Sequence, residues 1–312
     1  MSSSPDTRFI ETKQYQRFKE FCDACRTYQY IGLCYGVPGV GKTVSARYYT
    51  NPKKVTSSKL QPFSEGSLER GRENKVILYT PSVVNSPRQI SREMGTCRNN
   101  FTTVLLNHLK NEELPKLEAM ERWMDQLLAA SWQDGEQNPE QVQKYNRYKG
   151  DYLTAWRDYE TRRRELKESK ILVVIDEADR LKMASLEQVR AIFDQGGMGL
   201  VLVGMPGLEK QLARYPQLYS RVGFVHEFKP LSQAEVRELL REGWAPFDVE
   251  LRDDALIDEE PLAMLIRLAE GRFRLLYRLL QQIGRIMEVN KLDKVTCQVV
   301  VAARESLVIG TA

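Results

Sequence analysis

The chain has little from which to build a metal or disulfide site. Its 312 residues include only two histidines and five cysteines. Cys22 and Cys25 form a C-x-x-C, but no second C-x-x-C or histidine pair completes a tetrahedral set. The surrounding "YQRFKEFCDACRTYQY" reads as an amphipathic helix carrying two thiols. No apolar run reaches the ~18 residues that would suggest a membrane span. The N-terminal "MSSSPDTRFIETKQ" has no apolar signal core. A cytoplasmic location is the default expectation. Strong charge of one sign is also missing: the net charge is +4, with mean hydropathy −0.46. What surplus exists is uneven. Residues 1–75 hold 13 Lys/Arg against 7 Asp/Glu, and residues 271–312 hold 7 against 3. This asymmetry permits contact with nucleic acid without requiring it.

Five apolar runs are present, mostly separated by helical patterns. "YIGLCYG" comes first, followed by "KVILYTPS" (75–82), "SKILVVIDEADR" (169–180), "MGLVLVGMPG" (198–207) and "GFVHEF" (223–228). Runs that are apolar through both faces suit buried parallel strands. Their alternation with helices predicts an α/β fold, a parallel sheet with helices on both faces. Residues 52–74 are polar and read as an exposed loop.

About 90 residues separate the second and third runs, more than a crossover needs. Leu117, Met120, Met124 and Leu127 recur at helical spacing, as do Tyr145, Tyr148, Tyr152, Trp156 and Tyr159. The turn "QDGEQNPEQ" divides them, so an antiparallel helical hairpin is expected at about 100–168. Segment 98–170 balances 13 basic against 13 acidic residues, so the hairpin is no electrostatic trap for DNA. The aromatic stripe is expected to be its packing seam.

"GVPGVGKT", Gly36 to Thr43, fits G-x-x-x-x-G-K-[ST] directly after a strand and before a helix. Such a loop turns successive N–H groups towards phosphate at the positive end of a helix. Gly36, Pro38, Gly39, Val40, Gly41, Lys42, Thr43 and Val44 are the expected ATP cradle. Lys42 should reach the β- and γ-phosphates, and the Thr43 hydroxyl should ligate Mg²⁺. The third run ends in Asp176 and Glu177, which suit an Mg²⁺ carboxylate and a general base for the attacking water.

These motifs, with a further apolar strand "LVLVG" and a C-terminal Gly-x-x-Arg, resemble AAA+ ATPases. "GLVLVGMPGLEKQLARYPQLYSRVGFVHEFKPLS" is similar to the fourth-strand region of the group that assists DNA transposition: TnsC, TniB, MuB and IstB. "GRFRLLYRLLQQI" resembles their Gly-Asn-x-Arg-Leu-Leu element, with Arg272 in place of the Asn and Arg274 kept. The resemblance implies an N-terminal basic arm and helix (1–28), an α/β nucleotide core (29–230) and a helical lid (231–312). It implies a homo-oligomeric ring or helical filament on double-stranded DNA that recruits a transposase, and possibly a targeting protein, with hydrolysis releasing it. Arg274 corresponds to a second sensor at the γ-phosphate, and Arg278 and Arg285 share its face. Arg221 is the first candidate for an arginine completing a neighbour's site, and Arg214 the second. The first sensor position holds Met205, which cannot donate a hydrogen bond through its side chain. Arg88, Arg92 and Arg98 match the DNA side, with Lys53 and Lys54 as weaker candidates. The alternative reading is a nucleotide-gated protein scaffold or sensor, in defence or secretion, that does not act on DNA.

Overall fold

The structure, a computed structural model, describes residues 9–50, 75–133, 136–168, 170–241 and 258–307. The polar loop 52–74, with Lys53 and Lys54, lies outside the described residues. The chain runs α1 (Lys13–Tyr28), β1 (Ile31–Tyr35), α2 (Lys42–Thr50), β2 (Val76–Tyr79) and α3 (Pro87–Ala130). A two-rung ribbon, β3 (Trp132–Gln133) and β4 (Glu136–Gln137), leads to α4 (Pro139–Lys167). Then come β5 (Ile171–Ile175), α5 (Met183–Phe193), β6 (Met198–Gly204), α6 (Leu208–Ala213), α7 (Pro216–Tyr219) and β7 (Val222–Glu227). Four helices close the described chain: α8 (Gln233–Arg241), α9 (Glu259–Ala269), α10 (Phe273–Asn290) and α11 (Cys297–Glu305).

Five strands form one parallel sheet in the order β2-β5-β6-β1-β7. The α/β architecture expected from the apolar runs is what forms. The strand period of two sorts side chains onto two buried faces. Ile171, Val173, Ile175, Leu200 and Leu202 join Ile90, Met94, Leu186 and Val189 of α3 and α5. Leu172, Val174, Val201 and Val203 face Phe18, Phe21, Cys22 and Cys25 of α1 and Ala46 and Tyr49 of α2. The C-x-x-C thiols are therefore packing groups, fully buried. Burial pushes Cys25 up to about 12. A separate apolar cluster unites α8 to α11 through Leu239, Leu265, Leu276, Leu280, Ile283 and Val300. Among the described residues no helix is long and apolar enough to cross a membrane.

The hairpin forms, but it does not begin near residue 100. Its first arm is the continuation of α3, one helix of 44 residues that starts at the sheet's edge. Neither Gly95 nor Pro115 interrupts it. Its first part is held by core burial of Ile90, Met94 and Phe101, and its distal part by α4. Tyr159, Leu109 and Leu117 pack together, Trp156 meets Tyr159 edge-to-face at 5.4 Å, and Trp156 donates to the Tyr152 hydroxyl at 2.6 Å. Arg162 bridges the arms to Glu113 at 3.1 Å. The Trp156–Tyr159 end of the aromatic stripe packs in the seam between the arms.

Helix α1 lies so close to β6 that a side chain on Gly199 would run into the backbone at Cys25 and Arg26. Gly199→Ala should therefore lower unfolding stability by about 1–3 kcal/mol, as overpacking does. Urea titration checks this; an unchanged midpoint would show that α1 can retreat without loss.

Candidate nucleotide site and its arginines

β1 is buried through Cys34 and ends where Tyr35 O accepts from Phe228 N at 2.7 Å. The chain then turns with Gly39 at φ 84° and Gly41 at φ 105°, a region open to glycine without steric cost. Helix α2 starts at Lys42, so the loop's N–H groups sit at its positive end. Lys42 is buried, and its ammonium donates to Gly36 O at 2.5 Å and Val37 O at 3.0 Å. Burial lowers its pKa, the Arg274 charge acts in the same direction, and Cys34, Asp176 and Asp179 oppose.

Asp176 stands at the end of β5 and is 4% exposed. Its carboxylate accepts from the Thr43 hydroxyl and, at 3.0 Å, from Glu177 N. Burial raises its pKa, while the Thr43 and Glu177 hydrogen bonds pull it down. The structure thus brings Lys42, Thr43 and Asp176 together. Glu177 follows in the left-handed region, at φ 53° and ψ 44°, a conformation that costs a non-glycine residue about 1–2 kcal/mol. That turn takes its side chain out of the strand's alternation. Its carboxylate pairs with Arg180, whose Nη1 donates to Pro81 O at 3.1 Å beyond β2.

The end of β6 is occupied in an unexpected way. Met205 offers its backbone, not its side chain: Met205 N donates to Asp179 Oδ1 at 3.2 Å. A Cβ on buried Gly204 would lie 2.8 Å from that same oxygen. The polar group here therefore comes from the third acid of "DEADR". Asp179, Arg180 and Asn85, which donates to Arg180 O at 3.1 Å, were not singled out from sequence. The only visible signal was the density of charge within one turn after Glu177.

Across the loop lies the start of α10. Arg274 N donates to Gly39 O at 3.1 Å, and Phe273 lies over Gly41. The Arg274 side chain is exposed, as are Arg278 and Arg285 further along the helix.

The remaining arginines divide. Arg88 and Arg92, one turn apart on α3, are exposed. Arg98 does not join them: six residues on, it emerges on the flank of the core face. There its guanidinium stands 3.2 Å from where a Cβ on Gly197 would be, and it lines a cavity of about 270 Å³ with Ile77, Met94 and Met198. Arg221 is engaged throughout. Nε and Nη2 donate to Asp194 at 2.5 and 2.8 Å, and Nη1 donates to Gln217 O. Those bonds to Arg221 hold the Asp194 carboxyl below its usual range. Arg214 is exposed, and its side chain has no ion pair or hydrogen bond among the described residues.

A protein-family model described as "AAA domain" matches residues 25–212. A Staphylococcus aureus protein named "Potential ATP-binding protein" is 39% identical over 302 residues, covering 97% of each chain. Among solved structures, Aeropyrum pernix ORC2, in ADPNP–ADP complexes, superposes with TM-score 0.53 at 14% identity, over 96% of this chain and 70% of that one. A point mutant of Thermotoga maritima RuvB gives TM-score 0.50 at 16% identity, over 98% and 74%. At such identities the two structures show the fold alone.

The contact between Gly39 and Arg274 makes a specific demand. A Cβ on Gly39 would lie 2.9 Å from Arg274 Cβ, on a backbone with positive φ. Gly39→Ala should weaken nucleotide binding by about tenfold or more. Titration with a fluorescent ATP analogue measures it, and wild-type affinity would mean that the α10 contact plays no part in binding.

Proposed function

The chain belongs to the AAA domain family, and from that premise we propose an ATP-hydrolysing regulator of DNA transposition. In the ATP state it assembles on double-stranded DNA as a ring or helical filament and recruits or activates a transposase; hydrolysis disassembles it. The observation carrying the ATPase part is the buried Asp176 carboxylate hydrogen-bonded to Thr43, with Glu177 beside it and Lys42 within the same loop. The transposition part rests on the resemblance of "GLVLVGMPG" and "GRFRLLYRLLQQI" to that helper group. The exposed pair Arg88 and Arg92, on the helix after β2, supports DNA contact that positions without specifying sequence.

The residues fit the expected cofactors. Lys42 has two carbonyls to exchange for β- and γ-phosphate oxygens. Thr43 and Asp176 present adjacent hard oxygen donors, as Mg²⁺ requires. Bound there, Mg²⁺ would neutralise charge on the β- and γ-phosphates. Glu177 accepts a proton from water as the water oxygen bonds to the γ-phosphorus and the bond to the β–γ bridging oxygen breaks, leaving ADP. For this its carboxylate must leave Arg180, which is itself fastened to the β2 loop at Pro81. Arg274 reaches the γ-phosphate from the α10 side.

For the trans arginine we reverse the order of the two candidates. Every guanidinium nitrogen of Arg221 is satisfied within its own chain, whereas Arg214 is exposed and has no such partner among the described residues. Arg214 is assigned to a neighbour's γ-phosphate, and Arg221 to bracing the surface through Asp194.

A nucleotide-gated protein scaffold is the second reading. Trp123 and Trp132, 50% and 56% exposed in the distal hairpin, favour it. Duplex binding that requires an ATP analogue supports the first reading; its absence supports the second.

Glu177→Gln should bind ATP normally while turnover falls by at least about a hundredfold. A steady-state rate equal to wild type would remove Glu177 from the base role. In subunit mixing, Arg214→Ala combined with Lys42→Ala should regain ATPase activity that neither has alone. Recovery with Arg221→Ala in its place, and none with Arg214→Ala, would return the assignment to Arg221.

A further inference from the structure

The loop between β2 and α3 presents an apolar point. Val83 and Val84 are adjacent and 71% and 84% exposed, and Val84 is the most exposed large apolar side chain among the described residues. Exposed valines on a floppy loop would mean little, but this loop is fastened. Ser82 Oγ donates to Val84 O at 2.8 Å, Asn85 Nδ2 to Ser82 O at 3.0 Å, and Gln89 Nε2 to Ser82 Oγ at 3.0 Å. Asn85 also donates to Arg180 O, and Ser185 Oγ donates to Asn85 Oδ1 at 2.7 Å. The turn from Arg180 to Ser185 is thereby joined to the loop, and it adds exposed Met183, at 55%, and exposed Lys182. The cost of ordering the loop is met before any partner arrives, and β-branched valine has few rotamers to lose.

Charge around this point has one sign to spare. Glu93 is taken by the Tyr79 hydroxyl at 2.6 Å and by Gln89, Glu177 by Arg180, and Glu187 by Arg190 at 2.8 Å. Arg88, Arg92 and Lys182 are exposed and have no ion pair or side-chain hydrogen bond among the described residues. A rigid apolar wedge ringed by unpaired cations suits a polyanion with an apolar interior. Duplex DNA offers that: phosphates outside, and stacked bases reached through a groove.

We propose that Val83 and Val84 enter the groove of duplex DNA as a wedge that loosens a base step, while Arg88, Arg92 and Lys182 hold the flanking phosphates. The proposal rests on the DNA reading above and adds a way of deforming the duplex. Specificity would then follow deformability, with flexible pyrimidine–purine steps preferred over stiff A-tracts.

The test compares wild type, Val83→Ser/Val84→Ser and Arg88→Ala/Arg92→Ala, each with a non-hydrolysable ATP analogue. Duplex binding is followed by anisotropy across a salt series, with a fluorescent adenine analogue that brightens on unstacking placed at a central step. The valines are exposed, so their replacement leaves the fold intact. The serine pair should bind at least about tenfold more weakly and lose the brightening, with the salt slope unchanged. The alanine pair should lower the slope by about two. Wild-type binding without brightening, or a serine pair that binds as wild type does, overturns the wedge and leaves DNA binding standing. A serine pair that loses a transposase while keeping DNA assigns the valines to protein contact and overturns it too. No duplex binding by wild type at any salt overturns both readings.

Discussion

A carboxylate buried to 4% exposure must be paired, and the pairing of Asp176 organises much of this protein. The order β5-β6-β1 puts a strand between Asp176 and the loop that needs it. Thr43 spans the gap by reaching back from the first turn of α2, while the missing side chain of Gly204 at the end of β6 leaves room for Asp179. Thr43 and the Glu177 N–H oppose the upward push that burial gives the Asp176 pKa, and so favour the charged form. The sheet, the loop and α2 thus converge on one hydrogen-bonded carboxylate.

The second constraint is a main-chain one. Gly39 O is taken by Arg274 N, so the phosphate loop and the start of α10 share a bond that ignores side-chain identity. Leu231 N likewise donates to Gly271 O at 3.0 Å, securing the turn that precedes α10. Together they fix where Arg274 projects and transmit any movement of the helical cluster directly to the loop.

Local patterns carried most of what could be foreseen. The phosphate loop is contiguous, and strands buried on both faces leave uninterrupted apolar runs, so sheet and cradle were legible. Helical spacing likewise revealed both arms of the hairpin. The root of α3 was not legible, because the helical spacing that marks the hairpin begins only at Leu117, whereas the helix starts at Pro87 and is held there by tertiary burial of Ile90, Met94 and Phe101. The resemblance places Arg98 with Arg88 and Arg92 on the DNA side, yet helix phase sends it elsewhere. Asn85 with Arg180, and Arg221 with Asp194, meet across 95 and 27 positions, separations that leave no periodic trace.

The continuity of α3 has a mechanical meaning. At 1.5 Å per residue its 44 residues span about 66 Å. Its first turns are clamped beside the site, by the Ser86 cap and by Glu93 on Tyr79. A rod anchored at one end converts a small tilt at its root into a large sweep at its tip. Rotation of roughly 5° at the clamp would carry the far end by about 6 Å, a little more than the height of one helical turn. A tilt at the loop beside Glu177 too slight to repack the core there would become, at Trp132, a displacement on the scale of one helical turn.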